Sequence, residues 1–234
     1  MSGADVSQGA TPVEKWAAAW AAPHSDAFWS VSVHNETIRQ IVTLHQGGQA
    51  IRLRLSNRFG KKPVTLDDVR VGLSECDVSV RAGSSRQLTF AGQPVVTLAP
   101  GASALSDPVS LDVMGMQRLA VSLYAAGEFS SLSRHIKANE YLWRAKGNQA
   151  QQESGAGFER IDRPLDNSWL LIDEVDVLPR VPTRVVVAFG DSLTDGFFPI
   201  TGAWGKAKGV AVSEDQRFPD FLARRLIAAD LPVS

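Results

Sequence analysis

The stretch Val185-Val186-Val187-Ala188-Phe189-Gly190-Asp191-Ser192-Leu193-Thr194-Asp195-Gly196 carries the strongest chemical signal in the chain. An unbroken apolar run stops at Gly190, and a small polar cluster with one serine follows. A buried strand delivers a nucleophile to the edge of a sheet in this order. A serine hydroxyl is a poor nucleophile at neutral pH and needs a base to take its proton and donors to hold the developing oxyanion. A turn placed directly after a strand supplies part of this, because it exposes the hydroxyl and aims backbone N–H groups at the reacting oxygen. Ser192 is the candidate nucleophile and backbone donor, with Gly190 and Asp191 supporting the turn. For Asp191 and Asp195, an ordinary turn role, bonding local backbone, fits as well. The Gly-x-Ser-x-Gly pattern of nucleophile elbows is absent.

Other chemistry is sparse. His24, His34, His45 and His135 all precede Ser192 and read as surface or packing residues. With the single Cys76, in an expected turn over 74–77, they share no ligand spacing, so no metal site is expected. Cys76 reads as a buried or idle thiol. Gly202, Gly205 and Gly209 resemble neither a phosphate loop nor a dinucleotide fingerprint, so no cofactor is expected. Trp16, Trp20, Trp29, Trp143 and Trp169 read as core residues, with stacking on sugar rings as the alternative. The formal net charge is -1 and no basic cluster exceeds Lys61-Lys62 or Arg224-Arg225, which excludes nucleic acid as a partner. No run approaches the ~18 apolar residues of a membrane span, and residues 16–22 are too weakly apolar for an export signal. A soluble chain is expected, with its localisation open.

The elements that must position Ser192 come in two grammars. Residues 1–15 read as a flexible tail and residues 16–179 as a β domain. Within it, 37–45 and 50–56 flank Gln46-Gly47-Gly48-Gln49 and predict a β-hairpin. Ile51, Leu53 and Leu55 alternate with Arg52 and Arg54, the period of a strand with one wet face. Further strands are expected at 69–73, 87–90, 95–98, 110–113, 119–124 and 169–178, and long surface loops between 128 and 167. Short strands with frequent turn residues predict a mainly β chain, an antiparallel β-sandwich of jelly-roll type. Pro179-Arg180-Val181-Pro182 then marks a boundary. After it, 185–189 predicts a strand covered on both faces in a parallel sheet. Phe218, Phe221, Leu222 and Leu226 predict the apolar face of a helix, with Pro219 in its first turn and Asp220 paired with Arg224 on its surface.

Gly190-Asp191-Ser192-Leu193 followed by Thr194-Asp195-Gly196 resembles the first block of the GDSL, or SGNH, serine hydrolases. Residues 16–23, 38–42, 52–60, 107–109 and 218–226 are similar to bacterial members in which a β-sandwich precedes an α/β, flavodoxin-like hydrolase domain. The resemblance implies an esterase or acylhydrolase that forms an acyl-enzyme on Ser192, whose own N–H joins the oxyanion hole. It also implies a glycine and an asparagine in later blocks, and an aspartate and a histidine three residues apart. No such blocks follow here, so residues 183–234 are expected to be an incomplete hydrolase domain with no turnover of its own. These residues are expected either to pack on the sandwich or to leave an exposed apolar patch that promotes association. An ester or acylated glycan is the expected substrate. The alternatives are a non-catalytic β-sandwich that binds glycan or protein and carries a relic hydrolase start, and a partial gene product without function of its own.

Overall fold

A computed structural model describes residues 15–25, 32–76, 78–129, 132–136, 138–161, 168–196 and 213–231. Over these residues the chain is mainly β, and every strand pairing is antiparallel. One sheet runs β1 (Ala17–Ala21), β15 (Ile172–Val177), β3 (Gly48–Ser56), with β8 (Ser103–Leu105) and β9 (Val109–Val113) sharing the far edge of β3. The other runs β13 (Glu159–Ile161), β12 (Leu142–Lys146), β2 (Val33–Leu44), β10 (Gln117–Phe129), β5 (Asp68–Leu73), β6 (Arg86–Gln87). Two small pairs, β4 (Val64–Leu66) with β7 (Val96–Leu98) and β11 (Arg134–Ile136) with β14 (Ser168–Leu170), complete the body. Leu53 and Val175 of the first sheet and Val42 and Val121 of the second belong to one buried cluster, so the two sheets share a core.

The alternation in 50–56 is realised: Ile51, Leu53 and Leu55 are buried, while Arg52 and Arg54 are partly exposed. Arg52 meets Asp176 at 2.7 Å and Arg54 meets Glu174 at 3.6 Å, both across the β3–β15 pairing. Burial, with a hydrogen bond to Asp176 and repulsion from its charge, pushes the Glu174 carboxyl up to about 7 against the pull of Arg54. An acid raised on folding favours the fold while protonated, and that contribution is lost as the pH climbs from about 4.5 through about 7. Glu174→Gln is therefore expected to be more stable than the parent at about pH 8. With solvent screening, the gain is about 1 kcal/mol. It should vanish near pH 4.5, and urea midpoints at the two pH values check it.

Three expectations about connection are corrected. The strands flanking Gly47 and Gly48 do not form a hairpin: β2 lies in one sheet and β3 in the other. These glycines serve close approach instead, since a Cβ would lie 2.7 Å from the Val113 carbonyl oxygen at Gly47 and 2.6 Å from that of Leu178 at Gly48. The span 128–167 is not simply surface loop. It supplies β11, β12 and β13, and β12 pairs with β2. The expected single strand over 169–178 is broken at Leu171, whose φ of 60° ends β14 before β15 begins.

β2 does not alternate because both of its faces are covered: every residue from Thr37 to Leu44 is buried. Its Arg39 points away from the apolar core into a cage of backbone carbonyls and over the Phe158 ring. Among the described residues no helix is long and apolar enough to cross a membrane. The expected tail over 1–15 lies outside the described residues except for Lys15, as do Trp29, Gly202, Gly205 and Gly209.

Candidate functional site

The buried parallel strand expected at 185–189 is not formed. These residues are in no strand, and Val187 and Phe189 are 79% and 99% exposed. A parallel strand covered on both faces requires neighbours on its edges, and no described strand pairs with this segment. The turn after it is compact. The Asp195 N–H donates to the Asp191 carbonyl at 3.1 Å, and the Leu193 N–H donates to the Asp191 carboxylate at 2.9 Å. Asp191 thus has the local backbone role that suits its type. Gly190 has no room for a side chain, because a Cβ would lie 2.0 Å from Thr194 Oγ1, and Gly196 closes the turn at a φ of 69°. Ser192 is exposed at its crest, and no described residue bonds its hydroxyl or its backbone N–H.

Polar contacts join the exit of this turn to the two-sheet body. His135 Nε2 donates to Asp195 Oδ1 at 2.9 Å, Arg217 Nε donates to the Asp195 carbonyl at 2.8 Å, and Asn139 Nδ2 donates to the Gly196 carbonyl at 3.1 Å. Arg217 also bonds the Ala138 carbonyl and lies over the Trp169 ring at 5.2 Å. Thr43 donates to Asp215 at 2.7 Å, and Ser213 bonds Glu140, which accepts from Arg118 at 2.5 Å. Burial pushes the Glu140 carboxyl above its ordinary value, opposed by Arg118 and by bonds from Ser213 and the Tyr141 N–H.

Helix α1 (Phe218–Ala228) forms where expected, with Pro219 in its first turn, but its buried face is inverted. Asp220 and Ala223 are buried, while Phe218 and Phe221 are about half exposed. Asp220 is therefore no surface partner of Arg224. It accepts from His45 Nε2 at 2.9 Å and from the Arg217 N–H at 2.8 Å. Burial would raise this carboxyl, but those bonds and the Arg217 charge outweigh it and hold it below its ordinary value.

A cleft of about 520 Å³ is lined by Ala18 and Trp20 of β1, by Val187 and Ser192 of the segment 185–195, and by His45 and His135. His24 lines it too, with Nδ1 accepting from Ser133 Oγ and Nε2 donating to the Ile172 carbonyl, both at 2.8 Å. Burial lowers its affinity for a proton. His135 faces acceptors at both nitrogens, the Pro23 carbonyl at 2.7 Å and Asp195. His45 keeps Nδ1 without a described partner. Three of the four histidines thus line the cleft with Ser192, each anchored to neighbouring groups. Cys76 is exposed rather than buried, and the described residues hold no group of three potential metal ligands.

Compared with known proteins, no family model matches the chain, and no curated protein matches it.

Ser192, Gly190 and Asp191 are marked by the sequence itself, whereas the partners that hold the turn are not. His135 lies 60 residues from Asp195 and His45 lies 175 from Asp220, separations at which no spacing rule operates. One signal was legible: an acidic residue three positions into a helix whose first turn carries proline marks a capping carboxylate, which is what Asp220 supplies to Arg217.

Proposed function

We propose that residues 185–196 are the nucleophile segment of a GDSL-type serine ester hydrolase, with the acyl-enzyme formed on Ser192. On this reading the two-sheet body is the β-sandwich that accompanies an α/β hydrolase domain to which residues 183–234 belong. The observation that carries it is the compact turn from Gly190 to Gly196, which leaves both the hydroxyl and the N–H of Ser192 unengaged by any described residue, beside a cleft of ligand size. In the reaction, the Ser192 oxygen attacks the ester carbonyl and its proton passes to a base. The alcohol departs, and water then releases the acid.

No imidazole touches Ser192, so the chain alone is expected to hydrolyse p-nitrophenyl acetate no faster than its Ser192→Ala variant. Added imidazole supplies a base. Mass spectrometry is then expected to find an acetyl adduct on the peptide carrying Ser192, in excess over other exposed serines. Acetylation spread evenly over surface serines would overturn the assignment. A Ser192-dependent rate without imidazole would instead point to His45, the cleft histidine with an unengaged nitrogen, and would disappear in His45→Ala.

The non-catalytic, glycan-binding alternative draws less support. Trp169 is buried with Nε1 donating to the Ile41 carbonyl at 2.9 Å, Trp20 packs edge-on against it at 4.8 Å, and Trp16 lies under the Arg52 guanidinium. Trp143 packs on the Phe158 cluster. These rings serve packing rather than an open stacking platform.

A further inference from the structure

The cleft beside Ser192 has a composition that selects a ligand. One wall is β1, of which Ala18, Ala19 and Trp20 line the cleft, Ala18 and Trp20 being only partly buried. The apolar run beginning at Val185, which leads in chain order to Ser192, also lines the cleft. Trp20 is held by its edge-on contact with Trp169, so the first wall is stiff, and the alanines leave the space open. Arg217 and two histidines on the cleft are already engaged. Arg217 donates to the Asp195 and Ala138 carbonyls and stacks on Trp169, and His45 and His135 bond Asp220 and Asp195. Asp191 and Asp215, by contrast, line the cleft with no cationic partner among the described residues. A carboxylate or phosphate would meet repulsion there and find no free cation among the described residues on the cleft.

We propose that the cleft binds the uncharged, apolar acyl chain of an ester whose carbonyl lies at Ser192, and that β1, through Ala18 and Trp20, limits the length of that chain. The proposal rests on the reading of Ser192 as nucleophile. It adds that a strand from the other end of the chain forms half of the substrate site. The cleft, at about 520 Å³, falls within the roughly 300–1,000 Å³ of small-molecule sites. Chain-length selection follows from the geometry, since each methylene buried between Ala18 and Val187 adds affinity until the walls are filled.

The test is calorimetric titration of the full chain with methyl ketones, which carry the carbonyl and the alkyl chain but no hydrolysable bond. Methyl hexyl ketone is expected to bind at one site, with affinity rising about fourfold per methylene across the series and then levelling. Octanoate is expected to bind at least ~10-fold more weakly. Ala18→Val, a strand-compatible change that narrows the cleft, should weaken methyl hexyl ketone ~3-fold or more and shorten the chain at which affinity levels. Val187→Ser, at a position 79% exposed and so of little weight in the fold, should weaken it by a similar factor. Ser192→Ala should bind the ketone as the parent does, so this measurement stands apart from the acetyl-adduct test of the nucleophile. Failure of the ketone to saturate, equal binding of octanoate, or parent-like binding by both wall variants would overturn the proposal.

Discussion

Arg39→Met is expected to lower the stability of the fold by about 3–5 kcal/mol, read as a shift of the urea midpoint with little change of slope. Arg39 is fully buried in β2 and no described carboxylate faces it. Its Nε donates to Ser122 Oγ at 2.8 Å and Nη1 to the Val78 carbonyl at 2.9 Å, while Nη2 faces the carbonyls of Gln149, Ala150 and Gln152 at 3.3, 3.4 and 2.6 Å. The guanidinium also lies 4.2 Å over the Phe158 ring. Burial pushes its pKa down to about 10, which still leaves it charged at neutral pH, stabilised by carbonyl dipoles instead of a counter-ion. Methionine fills much of the volume but strands those carbonyls without a donor, each at about 1–3 kcal/mol if they stay dry. Arg39→Lys keeps the charge but not the planar fork, and should cost about 2 kcal/mol. Proteolysis at 149–158 should accelerate in the methionine variant, because these residues hang from the guanidinium. Parent-like stability of Arg39→Met would mean that the carbonyls find water.

Asp220→Ala is expected to release helix α1 from the two-sheet body while the body stays folded. The substitution uncaps the Arg217 N–H, at about 1 kcal/mol, and removes the acceptor of His45 Nε2, at about 1–2 kcal/mol more. Amide exchange over 218–228 should quicken by roughly 30–100-fold, with the strands of the body unaffected. Asp220→Asn retains an acceptor oxygen and should show a smaller change. The native carboxyl is held below its unfolded value near 3.8, so its contribution is complete above that value and is lost as the pH falls through the folded one. Acidification below about pH 3.8 should therefore reproduce the alanine phenotype in the parent chain. Unchanged exchange in Asp220→Ala would show that the helix is held elsewhere, for instance where Ile227 lies against Gly115.

What was legible in the sequence follows from how many faces each element buries. Ile51, Leu53 and Leu55 announced β3 because one of its faces is wet. The strand at 37–45 was legible as a strand, but its partners were not, since a fully buried run gives no register. Gly47-Gly48 suggested a hairpin because glycine is used both for turns and for close backbone approach, and sequence alone does not separate the two. β12 was missed because its five residues lie within polar text. Helix α1 was legible from its period, yet its orientation was not, because a buried aspartate held by a distant histidine outweighs an apolar stripe that no described residue covers. The exposed run at 185–189 makes the same point: apolar residues state a preference for burial, and only a neighbour realises it.

The pairing of β1 with β15 has a consequence for how this chain is made. Ala17 faces Val177, and the crossing at Gly47 denies β2 and β3 the local hairpin that nucleates many β proteins. During synthesis β1 emerges before the other described strands and waits for nearly the whole body before its partner leaves the ribosome. Such non-local closure folds in the slow range of milliseconds to seconds and exposes an unpaired edge meanwhile. β1 is largely alanine, a weak strand former with little tendency to pair with the wrong chain. The small side chains that keep the cleft open thus also keep the nascent edge quiet.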